Sequence, residues 1–306
     1  MDILIVGTGA LAVLFAARLV QASHHITLLG TWQDGLKALK QNGARLVDAS
    51  GAEQRVSVNA TDSPLDCRGA KYAIVLVKSW QTERAANQLV DCLAEDGLAL
   101  TLQNGLGNRE ILSKRLGAHR VSLGTTTTGA TLLGPGLVKP AGEGWLSIEE
   151  HPGLEPLAEA LLLADFKVEI VKDGRSLIWS KLIINASINP LTALLQVSNG
   201  ELLKSSSARA LMHALAEEAA AVASSENVKL VDRDLSAMVE EVALKTAANH
   251  SSMFQDIKRG APTEIDAICG AVARVGRQND IPTPINLACW QLVQALVQTS
   301  GKNRQA

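Results

Sequence analysis

The chain has 306 residues, of which 47% are hydrophobic, and its formal net charge at pH 7 is −2. This length and composition can bury two hydrophobic cores, so we expect two domains. The near-neutral charge argues against nucleic acid or an anionic membrane surface as a partner, and no apolar run is long enough to span a bilayer.

The first residues predict a strand, a glycine turn and a helix. The apolar run 3–6 leads directly into Gly7-x-Gly9-x-x-Ala12, and 13–19 reads as a helix. Gly7 permits a tight turn, and Gly9 has no Cβ, so a pyrophosphate can approach the backbone and the start of the helix. We therefore expect a dinucleotide site, with an ordinary glycine turn as the alternative. Its proposed residues are Gly7, Thr8, Gly9, Ala10 and Leu11.

Strands and helices alternate through the first half of the chain. This alternation is typical of a parallel, doubly wound sheet, and the Gly- and Pro-rich stretch 124–148 predicts short antiparallel strands. The predicted strands are 25–29, 73–77, 98–102, 121–124 and 167–171, and the predicted helices are 35–41, 82–93, 109–116 and 156–163.

Long helical patterns replace the strands after residue 172. They cover 208–224, 235–247, 263–277 and 283–297 and are rich in good helix formers. We therefore predict an α/β fold in which an N-terminal Rossmann domain with a doubly wound sheet (1–172) precedes an all-α C-terminal domain (173–306).

The residues after the second predicted strand bear on the choice of cofactor. Rossmann sites for NAD usually carry Asp or Glu there, which binds the ribose 2′-OH and repels a 2′-phosphate. This strand ends in Gly30-Thr31-Trp32 instead. The missing acid favours NADPH without excluding NADH. Thr31 can donate a hydrogen bond to the 2′-phosphate, and Lys37 or Lys40 can reach it, while Trp32 is either an adenine neighbour or an ordinary surface aromatic.

Two polar residues follow predicted strands at the edge where open α/β sheets bind ligands. Lys78 follows the strand 73–77, and Asn104 follows the strand 98–102. Both are candidates for a binding site, and ordinary loop chemistry is the alternative for each.

A third set of polar residues lies inside an apolar helical run. Lys181, Asn185 and Asn189 are spaced i, i+4, i+8 and share one helix face. Polar groups on a buried face need partners, and a bound polar substrate can supply them. Partial desolvation would lower the lysine pKa and make the amine a usable proton donor. The alternative is a solvated polar stripe.

The sequence resembles the ketopantoate reductase (2-dehydropantoate 2-reductase) family over nearly its whole length. The matching segments follow the family's order. They are Gly7-x-Gly9-Ala10-x-Ala12, Val77-Lys78, Gln103-Asn104-Gly105, Lys181-x3-Asn185-x3-Asn189-Pro190, Ser252-Met253-x-Gln255-Asp256 and Thr263-Glu264-Ile265-Asp266.

The resemblance implies a Rossmann domain and a helical domain with the active site in the cleft between them. It implies NADPH-dependent reduction of a small 2-keto acid, 2-dehydropantoate, to pantoate, on the route to pantothenate and coenzyme A. It makes Lys181 the proton donor and Glu264 its acidic partner. The remaining implied roles are substrate contacts for Asn104, Asn185, Asn189 and Ser252, a cofactor contact for Lys78, and structural support for Asp256.

Two positions depart from the family pattern. Many members carry Arg after the second strand, where this chain has Gly30-Thr31-Trp32, and Asn at the position of Cys269. The first departure bears on the preference for NADPH, and the second keeps open a paralogue that reduces another branched 2-keto acid. A β-hydroxyacid dehydrogenase is a second alternative, because that family also uses a Lys-x3-Asn helix, but the segments 252–256 and 263–266 favour a ketopantoate reductase. The third alternative is a non-catalytic NAD(P)-binding regulator, which has no reason to retain Lys181, Asn185 and Glu264 together.

Cysteine and histidine usage points to no metal site. The four cysteines lack metal-ligand spacing, and the six histidines are scattered. Free thiols and the absence of a leader pattern at the N-terminus predict a cytoplasmic protein. Trp290 fits either a homodimer interface or an ordinary core, so both stay open.

Overall fold

The computed structural model describes residues 1–230 and 234–302. Its contacts divide the chain into two compact units. We call 1–103 with 108–174 the sheet unit, and 104–107 with 175–306 the helical unit. The short loop 104–107 thus groups with residues from 175 onward, which lie far from it along the chain.

An eight-stranded sheet forms the centre of the sheet unit. Its strands are β1 Asp2–Val6, β2 His25–Leu29, β5 Asn59–Thr61, β6 Ala70–Val75, β7 Leu93–Thr101, β8 Val121–Thr126, β11 Trp145–Glu149 and β12 Lys167–Val171. They lie in the order β12-β11-β8-β7-β6-β1-β2-β5, and neighbouring strands are parallel except for β8 and β11.

Helices cover both faces of this sheet because its strands carry apolar side chains on both sides. In β1, Ile3 and Ile5 pack into one core, while Leu4 and Val6 pack into the other, as the twofold period of a strand requires. The first core includes α1 (Ala10–Gln21) and α5 (Glu155–Leu163); the second includes α3 (Thr82–Cys92) and α4 (Asn108–Leu116). The sheet is therefore doubly wound, as predicted.

A second, four-stranded sheet lies in the same unit. Its order is β4-β3-β10-β9, formed by Glu53–Val56, Ala44–Val47, Leu137–Pro140 and Ala130–Gly134. The antiparallel pair β9–β10 confirms the strands predicted between 124 and 148. The sequence patterns did not predict β3, β4 or β5, nor the full bounds of α2 (Gln33–Asn42).

Described residues of the helical unit contain no strand. Its helices are α6 (Gly174–Leu195), α7 (Ser206–Ser225), α8 (Leu235–Lys245), α9 (Ser252–Arg259), α10 (Cys269–Gln278) and α11 (Pro284–Lys302). Ser205, Asp234 and Ser251 cap α7, α8 and α9 by accepting backbone amide hydrogen bonds. Within the described ranges, no helix has the length and hydropathy needed to cross a membrane.

The helix predicted at 263–277 is wrong at its start, because residues 264–268 form turns and α10 begins at Cys269. Tertiary contacts override the helical pattern there. The Asp266 carbonyl accepts a hydrogen bond from Arg274, and its carboxylate accepts one from the Trp290 ring nitrogen at 2.9 Å. These bonds, with the stacking of Arg274 on the Trp290 ring, account for Trp290 within one chain.

Candidate active site

The glycine turn lies where the strand order of the large sheet reverses direction around β1. Gly7 has a φ of +133°, and a Cβ there would come within 3.2 Å of the Leu76 carbonyl beyond β6. Its amide donates to the Leu29 carbonyl at the end of β2. Gly7 therefore lets three neighbouring strand ends meet closely, and any other residue would be strained by this φ and would crowd the Leu76 backbone.

Gly9 differs from Gly7, because the space beside it is open. Its backbone is extended (φ −80°), and a Cβ built on it would meet nothing within 4 Å. Gly9 is the N-cap of α1, no side chain caps this end, and the first turn carries no acid. The backbone thus offers amides and the positive end of the helix dipole beside an open cradle. This arrangement fits a pyrophosphate.

Gly30 explains why no acid stands at the end of β2. A Cβ on Gly30 would come within 2.7 Å of the Thr8 side chain, which is buried in the glycine turn. The next residue, Thr31, is exposed and accepts a hydrogen bond from the Arg84 guanidinium at 2.8 Å. No sequence pattern indicated this arginine near Thr31, since the two residues are 53 positions apart.

Trp32 packs over the start of α2. A Cβ on Gly35 would collide with the Trp32 ring, so the glycine provides the space in which the ring lies. The ring remains 37% exposed. This local packing agrees with the view of Trp32 as a half-buried surface aromatic, and its exposed part stays available to a ligand.

Gln103 joins the ends of two strands in the sheet unit. The buried Gln103 amide donates to the Val77 carbonyl at 3.0 Å and to the Thr82 hydroxyl at 2.8 Å. Lys78 follows Val77 and is half-buried at the start of a short 3-10 turn. Strand β6 ends at Val75, two residues before its predicted end, and the Gln103 bond holds the segment that carries Lys78.

In the helical unit, the loop 104–107 packs on the turn that contains Glu264. The Asn104 amide donates to the Glu264 carboxylate at 3.3 Å, and the Leu106 amide donates to the Ala267 carbonyl at 3.0 Å. Gly105 has a φ of +84°, and a Cβ there would lie 2.6 Å from Ala267 atoms. Glycine at this position therefore allows the close approach that brings Asn104 to the buried Glu264.

Lys181 lies on α6 in the helical unit. Partly exposed positions along α6 recur at 177, 180, 181, 184 and 185, while Trp179, Leu182 and Ile183 are buried. This spacing makes one accessible stripe on an apolar helix. Burial lowers the pKa of Lys181 to about 8, against the opposing influence of the Glu264 charge. Lys181 is half-buried on this stripe, and a pKa of about 8 suits proton transfer near neutral pH.

The other predicted substrate residues differ in exposure. Asn185 is partly exposed on the same stripe as Lys181, whereas Asn189 is buried. Ser252 is exposed at the first position of α9. Its neighbour Ser251 is buried and caps that helix, and it accepts a hydrogen bond from Thr192 of α6 at 2.7 Å. The cap thus fixes the start of α9 against the lysine-bearing helix.

Cys269 compensates for a proline in α6. Pro190 has no amide hydrogen, so the Ala186 carbonyl loses its helical donor. The Cys269 thiol lies 3.8 Å from that carbonyl oxygen and donates a weak hydrogen bond to it. Burial raises the pKa of this thiol, which keeps the donor protonated. The residue that departs from the family pattern therefore supports the helix that carries Lys181.

Across the residues with described positions, no group of three or more His, Cys, Asp or Glu side chains could hold a metal ion. The structure places the predicted residues in two groups. The sheet unit holds the glycine turn, Thr31 and Lys78. The helical unit holds Asn104, Lys181, Asn185, Asn189, Ser252 and Glu264.

Comparison with known proteins identifies similarity along both units. Residues 3–153 match the family model described as "Ketopantoate reductase PanE/ApbA", and residues 173–297 match "Ketopantoate reductase PanE/ApbA C terminal". The 2-dehydropantoate 2-reductase of Halobacterium salinarum is 32% identical over 98% of this chain and 100% of its own. That of Archaeoglobus fulgidus is 35% identical over 95% of this chain and 96% of its own.

Solved structures give the same picture for the fold. A PanE/ApbA family ketopantoate reductase from Ralstonia eutropha JMP134 superposes with a TM-score of 0.91 at 32% identity, covering 98% of this chain and 99% of its own. A D-mandelate dehydrogenase, solved with NADH and anilino(oxo)acetate, superposes with a TM-score of 0.92 at 27% identity and the same coverage.

Proposed function

The chain belongs to the ketopantoate reductase family, and from that membership we propose that it reduces 2-dehydropantoate to pantoate with NADPH, a step toward pantothenate and coenzyme A. Relatives that match it over nearly their whole length carry the name 2-dehydropantoate 2-reductase. The observation that carries the proposal is the amine of Lys181, half-buried on an apolar helix, with a pKa of about 8 and the charge of Glu264 acting on it.

The glycine turn supplies the cofactor site. The open space beside Gly9 and the uncapped start of α1 fit a pyrophosphate. When bound, NADPH supplies the hydride for the ketone carbon. The proposed cofactor-binding residues are Gly7, Thr8, Gly9, Ala10, Leu11, Thr31, Lys78 and Asn104.

Lys181 is the proposed proton donor. Its ammonium group donates a hydrogen bond to the ketone oxygen of the substrate. As the ketone carbon is reduced, negative charge develops on that oxygen, and the ammonium group stabilises the charge and then transfers a proton to it. The product is an alcohol, and the neutral amine regains its proton from solvent. The proposed substrate-binding residues are Asn104, Asn185, Asn189 and Ser252, which would hold the carboxylate and hydroxyl ends.

Glu264 keeps the proposed donor charged. Its negative charge raises the pKa of Lys181 and so opposes the effect of burial. Asn104 donates to the Glu264 carboxylate at 3.3 Å and helps to hold it in place. Without the Glu264 charge, the Lys181 amine would lose its proton at a lower pH and would be a poorer donor under neutral conditions.

Glu264→Gln is expected to move the alkaline limb of the kcat profile to lower pH. Wild-type kcat should fall as pH rises through about 8, where Lys181 deprotonates. Removing the carboxylate charge lowers the pKa of the amine further, so the fall begins earlier. The measurement is kcat against pH for both proteins. Glu241→Gln, which changes an exposed carboxylate on α8, is the control and should leave the midpoint unchanged. A midpoint that stays or rises in Glu264→Gln would contradict the assigned role.

A second candidate is the reduction of a different 2-keto acid. The similarity to a D-mandelate dehydrogenase solved with NADH and anilino(oxo)acetate supports it, because that ligand carries an anilino group on an oxoacetate in place of a branched alkyl group. The test is NADPH and NADH oxidation with 2-dehydropantoate, with other branched 2-keto acids and with benzoylformate. The proposal expects the highest kcat/KM for 2-dehydropantoate with NADPH. Binding of the cofactor without its oxidation in the presence of any of these acids would instead favour a regulator.

Two further properties stay predictions. Cytoplasmic location awaits fractionation of cells that express the chain, and a homodimer awaits light scattering of the purified protein. Trp290 bonds to Asp266 and stacks with Arg274 within the chain while its side chain stays partly exposed, so neither a dimer interface nor a purely intrachain role is decided by it.

A further inference from the structure

The end of β2 carries an arginine supplied by a different element of the sheet unit. Arg84 lies on α3, and its guanidinium donates a hydrogen bond to the Thr31 hydroxyl at 2.8 Å. Both side chains are exposed. Among residues 1–230 and 234–302, no carboxylate lies within ion-pair distance of this guanidinium. A positive charge with several N–H donors is therefore held at the position where Rossmann folds distinguish the two nicotinamide cofactors.

We propose that Arg84 and Thr31 together bind the 2′-phosphate of NADPH and so set the cofactor preference of this chain. The inference rests on the proposed function, since it assumes that the glycine turn binds a dinucleotide. A guanidinium can give two parallel hydrogen bonds to a phosphate, and these are among the stronger hydrogen bonds in proteins. The Thr31 hydroxyl accepts from Arg84, so its own hydrogen remains to be donated to a phosphate oxygen.

Gly30 adds to this selectivity by keeping an acid away from the ribose. The Thr8 side chain fills the space that a side chain at position 30 would need. A carboxylate there would accept a hydrogen bond from the ribose 2′-OH of NADH and repel the 2′-phosphate of NADPH. The chain thus lacks the acid that favours NADH and carries, from α3, the cation that favours NADPH.

Asp62 places a carboxylate in the same region of the sheet unit. It follows β5, whose Thr61 is registered with Leu29 of β2. The Gln33 amide donates to Asp62 at 3.0 Å, and this bond, with the charge of Lys40, holds the pKa of Asp62 below its ordinary value. The negative charge of Asp62 is therefore already stabilised by Gln33 and Lys40. If it instead bound a ribose hydroxyl, the chain would favour NADH, which a comparison of the two cofactors detects.

The test is calorimetric binding of NADPH and NADH to the purified full-length chain. For Arg84→Ala, we expect the Kd of NADPH to rise about 10- to 30-fold, while the Kd of NADH changes less than about twofold. For Arg84→Lys, the Kd of NADPH should lie between the values of the wild-type chain and Arg84→Ala, because lysine keeps the charge but not the paired donors. Arg115→Ala removes another exposed arginine, from α4, and should change neither Kd by more than about twofold.

Three outcomes distinguish the causes of failure. Equal effects of Arg84→Ala on both cofactors, or no effect on NADPH, would overturn the inference while leaving the proposed reductase intact. Tighter binding of NADH by the wild-type chain, weakened by Asp62→Asn, would overturn it in favour of a ribose contact by Asp62. Binding of neither cofactor by the wild-type chain would overturn the proposed function itself, and the inference with it.

Discussion

Replacing Lys181 with alanine is expected to lower kcat about 100-fold or more, the range typical for loss of a general acid. The physical reason is that no other group on the accessible stripe of α6 can donate a proton as readily as an amine with a pKa of about 8. The effect should fall on kcat more than on NADPH affinity, because the glycine turn and Thr31 belong to the sheet unit.

The measurement for Lys181→Ala is steady-state kcat together with the Kd of NADPH. Lys181→Met keeps most of the side-chain volume while removing the amine, so it should lose kcat to a similar extent without leaving a cavity. Lys204→Ala removes an exposed lysine of the same unit and should retain wild-type kcat. Near-wild-type turnover in both position-181 variants, with folding intact, would refute the assignment of the proton donor.

Gly9→Ser is expected to weaken NADPH binding roughly 100-fold without destabilising the protein. A side chain at position 9 would enter the open space that the pyrophosphate needs. Its hydroxyl would also accept an amide hydrogen bond at the start of α1, competing with the phosphate. The same hydroxyl is a favourable helix cap, and the extended backbone of Gly9 suits serine.

Gly9→Ser should therefore weaken NADPH binding without lowering the free energy of unfolding. The free energy of unfolding without cofactor should stay level or rise by about 0.3 kcal/mol, while the Kd of NADPH rises. Gly7→Ala is the contrasting variant and should destabilise the fold, because position 7 has a φ of +133° and a Cβ there would crowd the Leu76 carbonyl. Unchanged NADPH affinity in Gly9→Ser would show that the open space is not a phosphate site.

Elements with strong local signals could be predicted from the sequence. Strand β2 has its predicted bounds, and α3 begins at Thr82 as predicted, because apolar period and turn residues agree there. The strands β3 and β4 escaped prediction because they are short and mostly not buried, and β3 pairs with β10 from a distant part of the chain. The start of α10 was misjudged because contacts of Asp266 with Arg274 and Trp290 decide it.

In the candidate site, too, features set by local spacing were predictable from sequence, and features set by contacts between distant residues were not. Lys181 and Asn185 were recognisable because one helix turn separates them, and that spacing is visible in sequence. The contacts Arg84–Thr31 and Asn104–Glu264 join residues 53 and 160 positions apart, and no local pattern reports them. The support that Cys269 gives to the Pro190 region was hidden for the same reason.

One assay tests most directly whether the chain transfers hydride from NADPH to 2-dehydropantoate with Lys181 as the proton donor. It follows NADPH consumption and identifies the product in the same reaction mixture. We expect one pantoate for each NADPH oxidised by the wild-type chain, with both rates reduced together in Lys181→Ala. Bound NADPH that is not consumed, or consumption without formation of pantoate, would contradict this mechanism.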